Sequence, residues 1–405
     1  MAWSSRSRSR ACRGAACRRP PGPPRRADLP HPPRPGGLRE GTRHHVGMKN
    51  DSCHRDRSGA ALPMYHLSAS LLLAACLLAQ PAPAAEPVTS GAGIDYQPAV
   101  IRSSDDDARI VVFERLDPAT FAGDLWLTRS PDAGASWSAP VPIIASALNE
   151  RHPALLQLGP AQYVLFYLKG ATAQSSFRLW RATSGDGIAW TEQAQLDLGW
   201  STGGEVNPHV IAQADGTLTL SYQRLGGGSY LAQSSDGGAS WDTQRTLIAA
   251  GSQLPRIAWR ERDGLYLASY QVGSSALQLY VKTSHDPRDW SAPARGFALT
   301  GNHHDSLPAV LADGAFALFW IRQVGNGFDL AVRRSPDGVD WDDAIAITQS
   351  PDADDVEPHP LVGASPREVE LYWGRSQGGN DYDIVRLARA PVLADVIFAD
   401  PFESD

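Results

Sequence analysis

Cysteine is scarce in this 405-residue chain and is confined to one end of it. The four cysteines, Cys12, Cys17, Cys53 and Cys76, all precede residue 77, so the rest of the chain can form neither disulfide bonds nor thiolate metal sites. Cations are also few after residue 85, where 23 basic residues stand against 40 acidic ones and leave a formal charge of −17. Such a negative surface argues against nucleic acid and anionic membranes as partners.

Hydrophobic runs long enough to span a membrane are missing too. The most apolar run, residues 67–79, is too short for a span and is followed by Pro81-Ala82-Pro83-Ala84-Ala85. An apolar run of this length before an Ala-x-Ala site is typical of a secretory signal peptide. We therefore expect a signal peptide at 64–85 and export to the periplasm or the extracellular space.

Two other interpretations concern the chain ends. Leu73-Ala74-Ala75-Cys76 fits a lipoprotein box, but Leu77 and Leu78 continue the apolar run where a lipoprotein usually turns polar, so soluble export is favoured. Residues 1–63 carry Arg-Pro-Gly clusters and form either a basic tail for nucleic acid or, as we favour, a segment upstream of a later start at Met48 or Met64. Residues 396–405 form a short tail.

The sequence also lacks long helical patterns, since no stretch keeps helical periodicity for more than about three turns. A signature recurs instead: Ser-x-Asp, a glycine in the complete copies, and then tryptophan. Its copies are 130–137, 184–190, 234–241, 284–290 and 335–341, and their aspartates are 54, 50, 50 and 51 residues apart. A period near fifty indicates one supersecondary unit that is repeated along the chain.

Each period contains four short apolar or aromatic runs separated by turn residues, which is the pattern of strands. The first run enters at a proline, and these entry prolines are Pro98, Pro153, Pro208, Pro255, Pro308 and Pro358. Four antiparallel strands repeated radially form a propeller blade. We predict an all-β fold, a six-bladed β-propeller at 86–395, in which residues 86–89 add the outer strand of the last blade and close the ring.

The signature itself has a mechanical role. Its Ser and Asp side chains can hydrogen-bond nearby backbone N–H groups, its glycine can adopt a positive φ, and its tryptophan can pack between sheets. We therefore assign structural rather than catalytic roles to Asp132, Asp186, Asp236, Asp286, Asp337, Trp137, Trp190, Trp241, Trp290 and Trp341.

These signatures resemble the Asp boxes, or bacterial neuraminidase (BNR) repeats, of the sialidase superfamily over about residues 130–345. The resemblance implies a sialidase-like propeller with four antiparallel strands per blade. It also implies a glycoside hydrolase in which three arginines hold the carboxylate of an acidic sugar, a tyrosine polarised by a glutamate is the nucleophile, and an aspartate carries the proton. Asp boxes also occur in propellers that hydrolyse nothing.

The resemblance suggests particular residues at the tunnel mouth, where propellers usually bind ligands. Arg151-His152-Pro153 is similar to the family's Arg-Ile-Pro entry segment, although one blade late, and Asn207 aligns best with the family's glutamate. The implied catalytic residues are Tyr96, Glu205 and Asp305. The implied substrate-binding residues are Arg151, Arg224, Arg322, Arg375, His152 and Asn207.

A simpler interpretation applies to many charges at the same end of the blades. The positions three before the entry prolines are Asp95, Glu150, Glu205, Ser252, Asp305 and Asp355, and the ends of the second strands are Arg115, Lys169, Arg224, Val272, Arg322 and Arg375. Blade 4 lacks both the carboxylate and the cation. Because an unpaired buried charge is costly, this joint loss indicates an ion pair within each of the other five blades.

Histidines and aromatic residues leave further alternatives. His152, His209, His303, His304 and His359 lie at or near strand entries, where they bind a divalent metal or, as we favour, line a hydrated tunnel. Tyr222, Tyr270, Trp320 and Trp373 either stack on sugar rings or fill the core between blades. We expect no metal and no other cofactor.

Taken together, these patterns predict an exported, monomeric propeller that acts on glycans or glycoconjugates. If it is an enzyme, the resemblance implies an exo-glycosidase that releases a terminal acidic sugar of the sialic acid type. The alternative is a non-catalytic Asp-box propeller that binds carbohydrate or protein at the tunnel mouth.

Overall fold

The computed structural model describes residues 84–91, 93–171, 173–350 and 353–393. The predicted N-terminal extension at 1–63, Cys76 and the tail at 396–405 lie outside these residues, as does all of the predicted signal peptide except 84–85. No helix in the described part of the chain is long and apolar enough to cross a membrane.

The described residues form six blades of four antiparallel strands each. Strand β1 (Glu86–Pro87) precedes blade 1, which consists of β2 (Ile94–Arg102), β3 (Arg109–Leu116), β4 (Gly123–Ser130) and β5 (Val141–Ile144). Blade 2 consists of β6 (Asn149–Gly159), β7 (Gln162–Gly170), β8 (Arg178–Ser184) and β9 (Thr191–Gln195), with a 3-10 turn at Gln174–Ser176. Blade 3 consists of β10 (Glu205–Ala212), β11 (Leu218–Arg224), β12 (Gly228–Ser234) and β13 (Thr246–Ala250).

The second half of the ring repeats this plan. Blade 4 consists of β14 (Gln253–Arg260), β15 (Leu265–Val272), β16 (Gln278–Ser284) and β17 (Arg295–Gly296). Blade 5 consists of β18 (His303–Val310), β19 (Phe316–Val324), β20 (Gly327–Ser335) and β21 (Ile345–Ala346). Blade 6 consists of β22 (Asp355–Val362), β23 (Val369–Gly378) and β24 (Asp381–Leu387), and β1 adds its fourth strand. The predicted six-bladed, sialidase-like fold is confirmed.

The hydrophobic core is divided among the interfaces between blades. Among the described residues there are six clusters of buried side chains, and each joins two consecutive blades, including blades 6 and 1. The second strands are buried on both faces because each lies between two neighbouring sheets, which is why they read as continuous apolar runs. Tyr222, Tyr270, Trp320 and Trp373 are all at most 3% exposed, so they belong to this core and not to a sugar-stacking surface.

Ring closure follows the prediction made from the sequence. Glu86 and Pro87 pair antiparallel with Arg386 and Val385 of β24, and the backbone N–H groups of Val88 and Thr89 both donate to the Ile384 carbonyl at 2.8 and 3.0 Å. Arg386 stands where blade 6 lacks an Asp box. It donates to Glu86 Oε2 and to the carbonyl of Ala133 in the first box, at 2.8 and 2.7 Å, and so ties β1 to both neighbours.

The Asp boxes form the turns between third and fourth strands. In the third box Ser234 Oγ accepts from Gly238 N at 2.9 Å, and Asp236 Oδ1 accepts from Ser240 N at 2.9 Å. Hydrogen bonds lower the pKa of Asp236 to about 2, and the bond from the Ser240 hydroxyl contributes most to this shift. Trp241 packs edge-on against Phe166 of blade 2 with ring centroids 5.5 Å apart, so the box also fixes one blade against the next.

Candidate functional site at the tunnel mouth

One backbone irregularity occurs in the first strand of every blade. At one point in each blade, two residues of the first strand lie opposite one residue of the second strand. This irregularity is a β-bulge, and bulges redirect side chains. The first bulge residue always has a left-handed φ between 48° and 59°: Gln97, His152, Asn207, Leu254, Asp305 and Glu357. Five of these residues precede the entry proline, which suits a bulge because proline has no N–H to offer the ladder.

Blade 5 is the exception, and it corrects the alignment made from the sequence. Its bulge residues are Asp305 and Ser306, so Pro308 lies two residues beyond the position of the other entry prolines. Asp305 is therefore equivalent to Gln97 and not to Asp95. The residue paired with Arg322 is His303, whose Nδ1 accepts from Trp320 Nε1 at 3.1 Å, just as Asp355 Oδ1 accepts from Trp373 Nε1 in blade 6.

The predicted ion pairs within blades are present in four of the five expected blades. Their nitrogen–oxygen distances are 2.6 Å for Arg115–Asp95, 3.5 Å for Lys169–Glu150, 3.5 Å for Arg224–Glu205 and 2.7 Å for Arg375–Asp355. The pair predicted between Arg322 and Asp305 is wrong because of the shifted bulge. Asp305 Oδ1 instead lies 3.7 Å from Nη2 of Arg256, a residue of blade 4.

Hydrogen bonds between blades hold several of the bulges. The side chain at the end of one blade's second strand accepts the bulge N–H of the following blade: Glu114 from His152 at 3.0 Å, Gln223 from Leu254 at 3.2 Å, and Gln271 from Asp305 at 2.9 Å. The equivalent residue of blade 6 is Gly374, which has no side chain to offer. Glu357 takes over this function and accepts from the N–H and the side-chain amide of Gln97 at 2.7 and 3.0 Å.

Two cavities meet at the bulges. A wide cleft of about 720 Å³ opens at the mouth, and a narrow space of about 70 Å³ lies within the ring of first strands. Gln97, His152, Asp305 and Glu357 line both of them. These four side chains therefore form the boundary between a space that fits a sugar and a space that fits a few water molecules.

Two carboxyl groups at this boundary have different surroundings. Burial raises the pKa of Glu357 well above its ordinary value, and the negative charges of Asp305 and Glu114 raise it further. Asp305 instead faces the Arg256 guanidinium, which also donates to the carbonyls of Asn207 and Pro255 at 3.4 and 3.2 Å. Two carboxyl groups thus border one cleft, one buried with a raised pKa and the other beside a guanidinium group.

Tyr96 and Arg151 lie beside these carboxyl groups. The Tyr96 ring packs against Tyr382 with centroids 4.7 Å apart, and its pKa is raised by burial first and then by Tyr382, Glu357 and Glu114. Arg151 lines the cleft and donates from Nη2 and Nε to Glu114 at 2.9 and 3.3 Å. The structure therefore brings Tyr96, Arg151, His152 and Asp305 to the same end of the tunnel.

Most of the other residues suggested by the sequence do not line the cleft. Arg224 donates to Thr202 Oγ1 at 2.7 Å and lies over the Trp200 ring, and Arg375 holds Asp355. Glu205 accepts from Arg178 at 2.8 Å, and Nε of Arg322 is buried without a hydrogen-bond partner among the described residues. Asn207 does line the cleft.

Three of the five histidines line the narrow space inside the ring. Burial lowers the pKa of His152 and His359 to about 4 and that of His209 well below its ordinary value, so all three are neutral at neutral pH. His209 Nδ1 accepts from Ile257 N at 3.2 Å, which leaves the proton on Nε2. No group of three or more histidine, cysteine or acidic side chains in the described ranges is arranged to hold a metal ion.

Sequence reasoning missed Glu357, Glu114 and Arg256. The signal for Glu357 was present, because in five of the six blades the residue directly before the entry proline is the first bulge residue. Arg256 was also marked by an entry proline, because it directly follows Pro255. Glu114 carried no comparable signal, since its partners Arg151 and His152 belong to the next blade.

Comparisons with known proteins agree with this architecture. Among solved structures, a protein of unknown function from Dyadobacter fermentans is 14% identical with a TM-score of 0.63, and the match covers 76% of this chain and 98% of that one. An alpha-L-arabinanase from Penicillium chrysogenum, solved with arabinobiose, is 14% identical with a TM-score of 0.57 and the same coverage of both chains. The NanB sialidase of Streptococcus pneumoniae is 10% identical with a TM-score of 0.57, over 76% of this chain and 70% of that one.

At these identities the solved structures establish the fold alone. No curated protein matches the sequence. The model of the BNR repeat-like domain family, however, matches residues 120–382, which is well over half of the chain. The chain is therefore a member of the BNR repeat-like domain family.

Proposed function

We propose that this protein hydrolyses a glycosidic bond of a glycan bound at the tunnel mouth, with Glu357 as the proton donor and Asp305 as the second carboxyl group of the pair. The observation that carries the proposal is the presence of two carboxyl groups of different environment on one cleft. Glycosidases generally need such a pair, one member protonated and the other charged.

Each carboxyl group has neighbours that suit its role. The raised pKa of Glu357 favours the protonated form that can donate to the leaving oxygen, and its two contacts with Gln97 fix its orientation. Asp305, held near the Arg256 cation, can take the proton of an attacking water molecule or attack the anomeric carbon itself. Export through residues 64–85 and a monomeric state belong to the same proposal.

A terminal acidic sugar is the finer version suggested by the resemblance to sialidases. Its support is the position of Tyr96 beside Glu357 and Arg151. The raised pKa of Tyr96 disfavours a phenolate, however, and Arg151 already has Glu114 as its partner. Arg224 and Arg375 are occupied by rim carboxylates. A hydrolase without an arginine clamp therefore has better support from the geometry.

A non-catalytic binding propeller is the second candidate. Glu357 fills the place of a side chain that Gly374 lacks, and the ion pairs of Arg115, Arg224 and Arg375 account for most rim charges as structure. In this version the cleft binds a glycan and performs no chemistry.

Hydrolysis of a panel of fluorogenic glycosides tests these candidates, with an α-sialoside, an α-L-arabinofuranoside and β-hexosides in the panel. Glu357→Gln is the informative variant, because a glutamine oxygen can still accept the Gln97 N–H while the acid is lost. We expect kcat to fall by about 10²–10⁴-fold with little change in Tm. Glu192→Gln, at a carboxylate that accepts from Lys169 and does not line the cleft, is the matched control.

Each outcome separates the candidates. Turnover that survives Glu357→Gln overturns the assignment of the proton donor. Turnover of the α-sialoside that disappears in Arg151→Ala supports the acidic-sugar version. A folded protein that hydrolyses none of the panel but binds glycans supports the second candidate.

A further inference from the structure

We infer that the cleft recognises a neutral oligosaccharide and that Phe121 is a stacking platform for one of its sugar rings. The inference rests on the proposed action on glycans and names the class of glycan. It depends on three features of the cleft: an exposed aromatic ring, oriented amides, and the pairing of every charge on the cleft with another group of the protein.

Phe121 is an unusual surface residue. Its side chain is 51% exposed, and it is the one aromatic among the exposed large hydrophobic residues of the described chain; the others are Val141, Leu148, Ile188, Leu247, Val272 and Val324. It lies in the turn between β3 and β4 and lines the wide cleft. An exposed aromatic ring at the wall of a polar cleft suits the apolar face of a sugar.

The turn that carries Phe121 is built to hold it in place. Asp117 Oδ1 accepts from the N–H groups of Ala119 and Thr120 at 3.0 and 2.8 Å, and from the Thr120 hydroxyl at 2.9 Å. Backbone bonds from Phe121 N to Asp117 O and from Asp117 N to Ala122 O, both 2.8 Å, close the turn. Phe121 has a φ of 56°, a conformation that is costly for a residue with a Cβ and that recurs at ligand sites.

Amide side chains on the cleft have fixed orientations. The N–H of Leu254 donates to Gln223 at 3.2 Å, so the contacting atom must be the oxygen of that amide. The same oxygen accepts from Asn207 Nδ2 at 2.8 Å. Gln223 Nε2 and Asn207 Oδ1 are then the donor and the acceptor that remain for a ligand. A paired donor and acceptor match the hydroxyl groups of a sugar, each of which both donates and accepts.

Charges on the cleft are already matched within the protein. Arg151 is held by Glu114 through two contacts, and Asp305 faces Arg256. Burial raises the pKa of Glu357, which disfavours its charged form. An acidic sugar would therefore have to compete with Glu114 for the arginine, and the formal charge of −17 after residue 85 would repel it at long range. A neutral sugar meets neither obstacle.

Binding to defined probes tests the inference in the Glu357→Gln background, where the probe should not be hydrolysed during the measurement. The probes for calorimetry are xylotriose, arabinotriose, lactose and 3′-sialyllactose. We expect at least one neutral probe to bind, Phe121→Ala to raise its Kd by about tenfold, and Phe121→Trp to preserve it. Leu247→Ala, at a residue of β13 that is 44% exposed and does not line the cleft, should leave the Kd unchanged.

Three results would overturn the inference: binding of 3′-sialyllactose alone, failure of every neutral probe, or an unchanged Kd in Phe121→Ala. Hydrolysis is measured separately. Phe121-dependent binding without turnover in the parent protein would reject the proposed hydrolase and keep the neutral-sugar site. Turnover that is unchanged in Phe121→Ala would support the proposed hydrolase and reject the role of Phe121 in sugar binding.

Discussion

The two ends of this propeller use repetition differently. At the Asp-box end the same side chains recur, and each complete box packs its glycine against the adjoining blade. At the tunnel mouth the same backbone bulge recurs, but its first residue differs in all six blades: Gln97, His152, Asn207, Leu254, Asp305 and Glu357. Repeated side chains maintain the ring, whereas a repeated backbone with varied side chains presents six different groups to a ligand.

The largest expected effect lies at the box end. Gly238 has a φ of 82°, and an added Cβ would lie 2.4 Å from Cζ of the Phe166 ring in blade 2. Gly238→Ala should lower the free energy of unfolding by about 3 kcal/mol, through the strained φ and the overpacking together. Gly216→Ala is the matched control, since φ is 86° but no atom lies within 4 Å. It should cost about 1 kcal/mol in urea denaturation, and equal losses in the two variants would contradict the packing role of the box.

An intermediate effect is expected at the mouth. Gln223→Met removes the acceptor for Leu254 N and Asn207 Nδ2 and should cost about 1–2 kcal/mol, because two donors lose their partner. Gln193→Met on the exposed strand β9 should change the stability by less than about 0.5 kcal/mol. If the two variants unfold at the same urea concentration, the hydrogen bond between blades contributes nothing to stability.

The last effect is a pH dependence, which is the smallest of the three near neutral pH and grows as the pH falls. The pKa of His359 is about 4 in the folded protein, below the ordinary 6.5, because burial disfavours its charged form. The unfolded chain therefore binds a proton that the folded protein does not, and stability decreases as the pH falls from about 6.5 to about 4. His359→Gln removes this loss. In calorimetry, the Tm of the variant minus that of the parent should increase as the pH falls from about 6.5 to about 4 and should not change above pH 7. A difference that is constant with pH would mean that His359 does not titrate as inferred.

The Asp-box end and the tunnel mouth also differ in how well the sequence predicted them. Box spacing and strand patterning were sufficient for the blades, because those features are local to each repeat. The similarity of Glu86-Pro87-Val88-Thr89 to the fourth-strand run Ala139-Pro140-Val141-Pro142 was sufficient for ring closure. Pairing within blades was predicted wherever the entry proline marked the bulge. In blade 5 Ser306 takes the place of that proline, and the nearest proline, Pro308, gave the wrong register.

The site was harder to predict because its contacts cross between blades. Glu114 with Arg151, Asp305 with Arg256, and Glu357 with Gln97 all join residues of different repeats. A periodic sequence shows what each repeat contains but not which side chains of adjoining repeats meet at the axis. Burial also raises the pKa of Glu357, and Asp305 and Glu114, which belong to two other blades, raise it further.

Closure by β1 has a consequence for how the protein reaches its native state. The ion pair of Glu86 with Arg386 joins residues 300 positions apart, so the ring can close only after almost the whole propeller has been synthesised. Non-local pairing of this kind is slow to form, and until it forms the outer edge of β24 is an open strand that can pair with another chain. We therefore expect closure to be the last step of folding, and the stage at which the protein is most prone to aggregate.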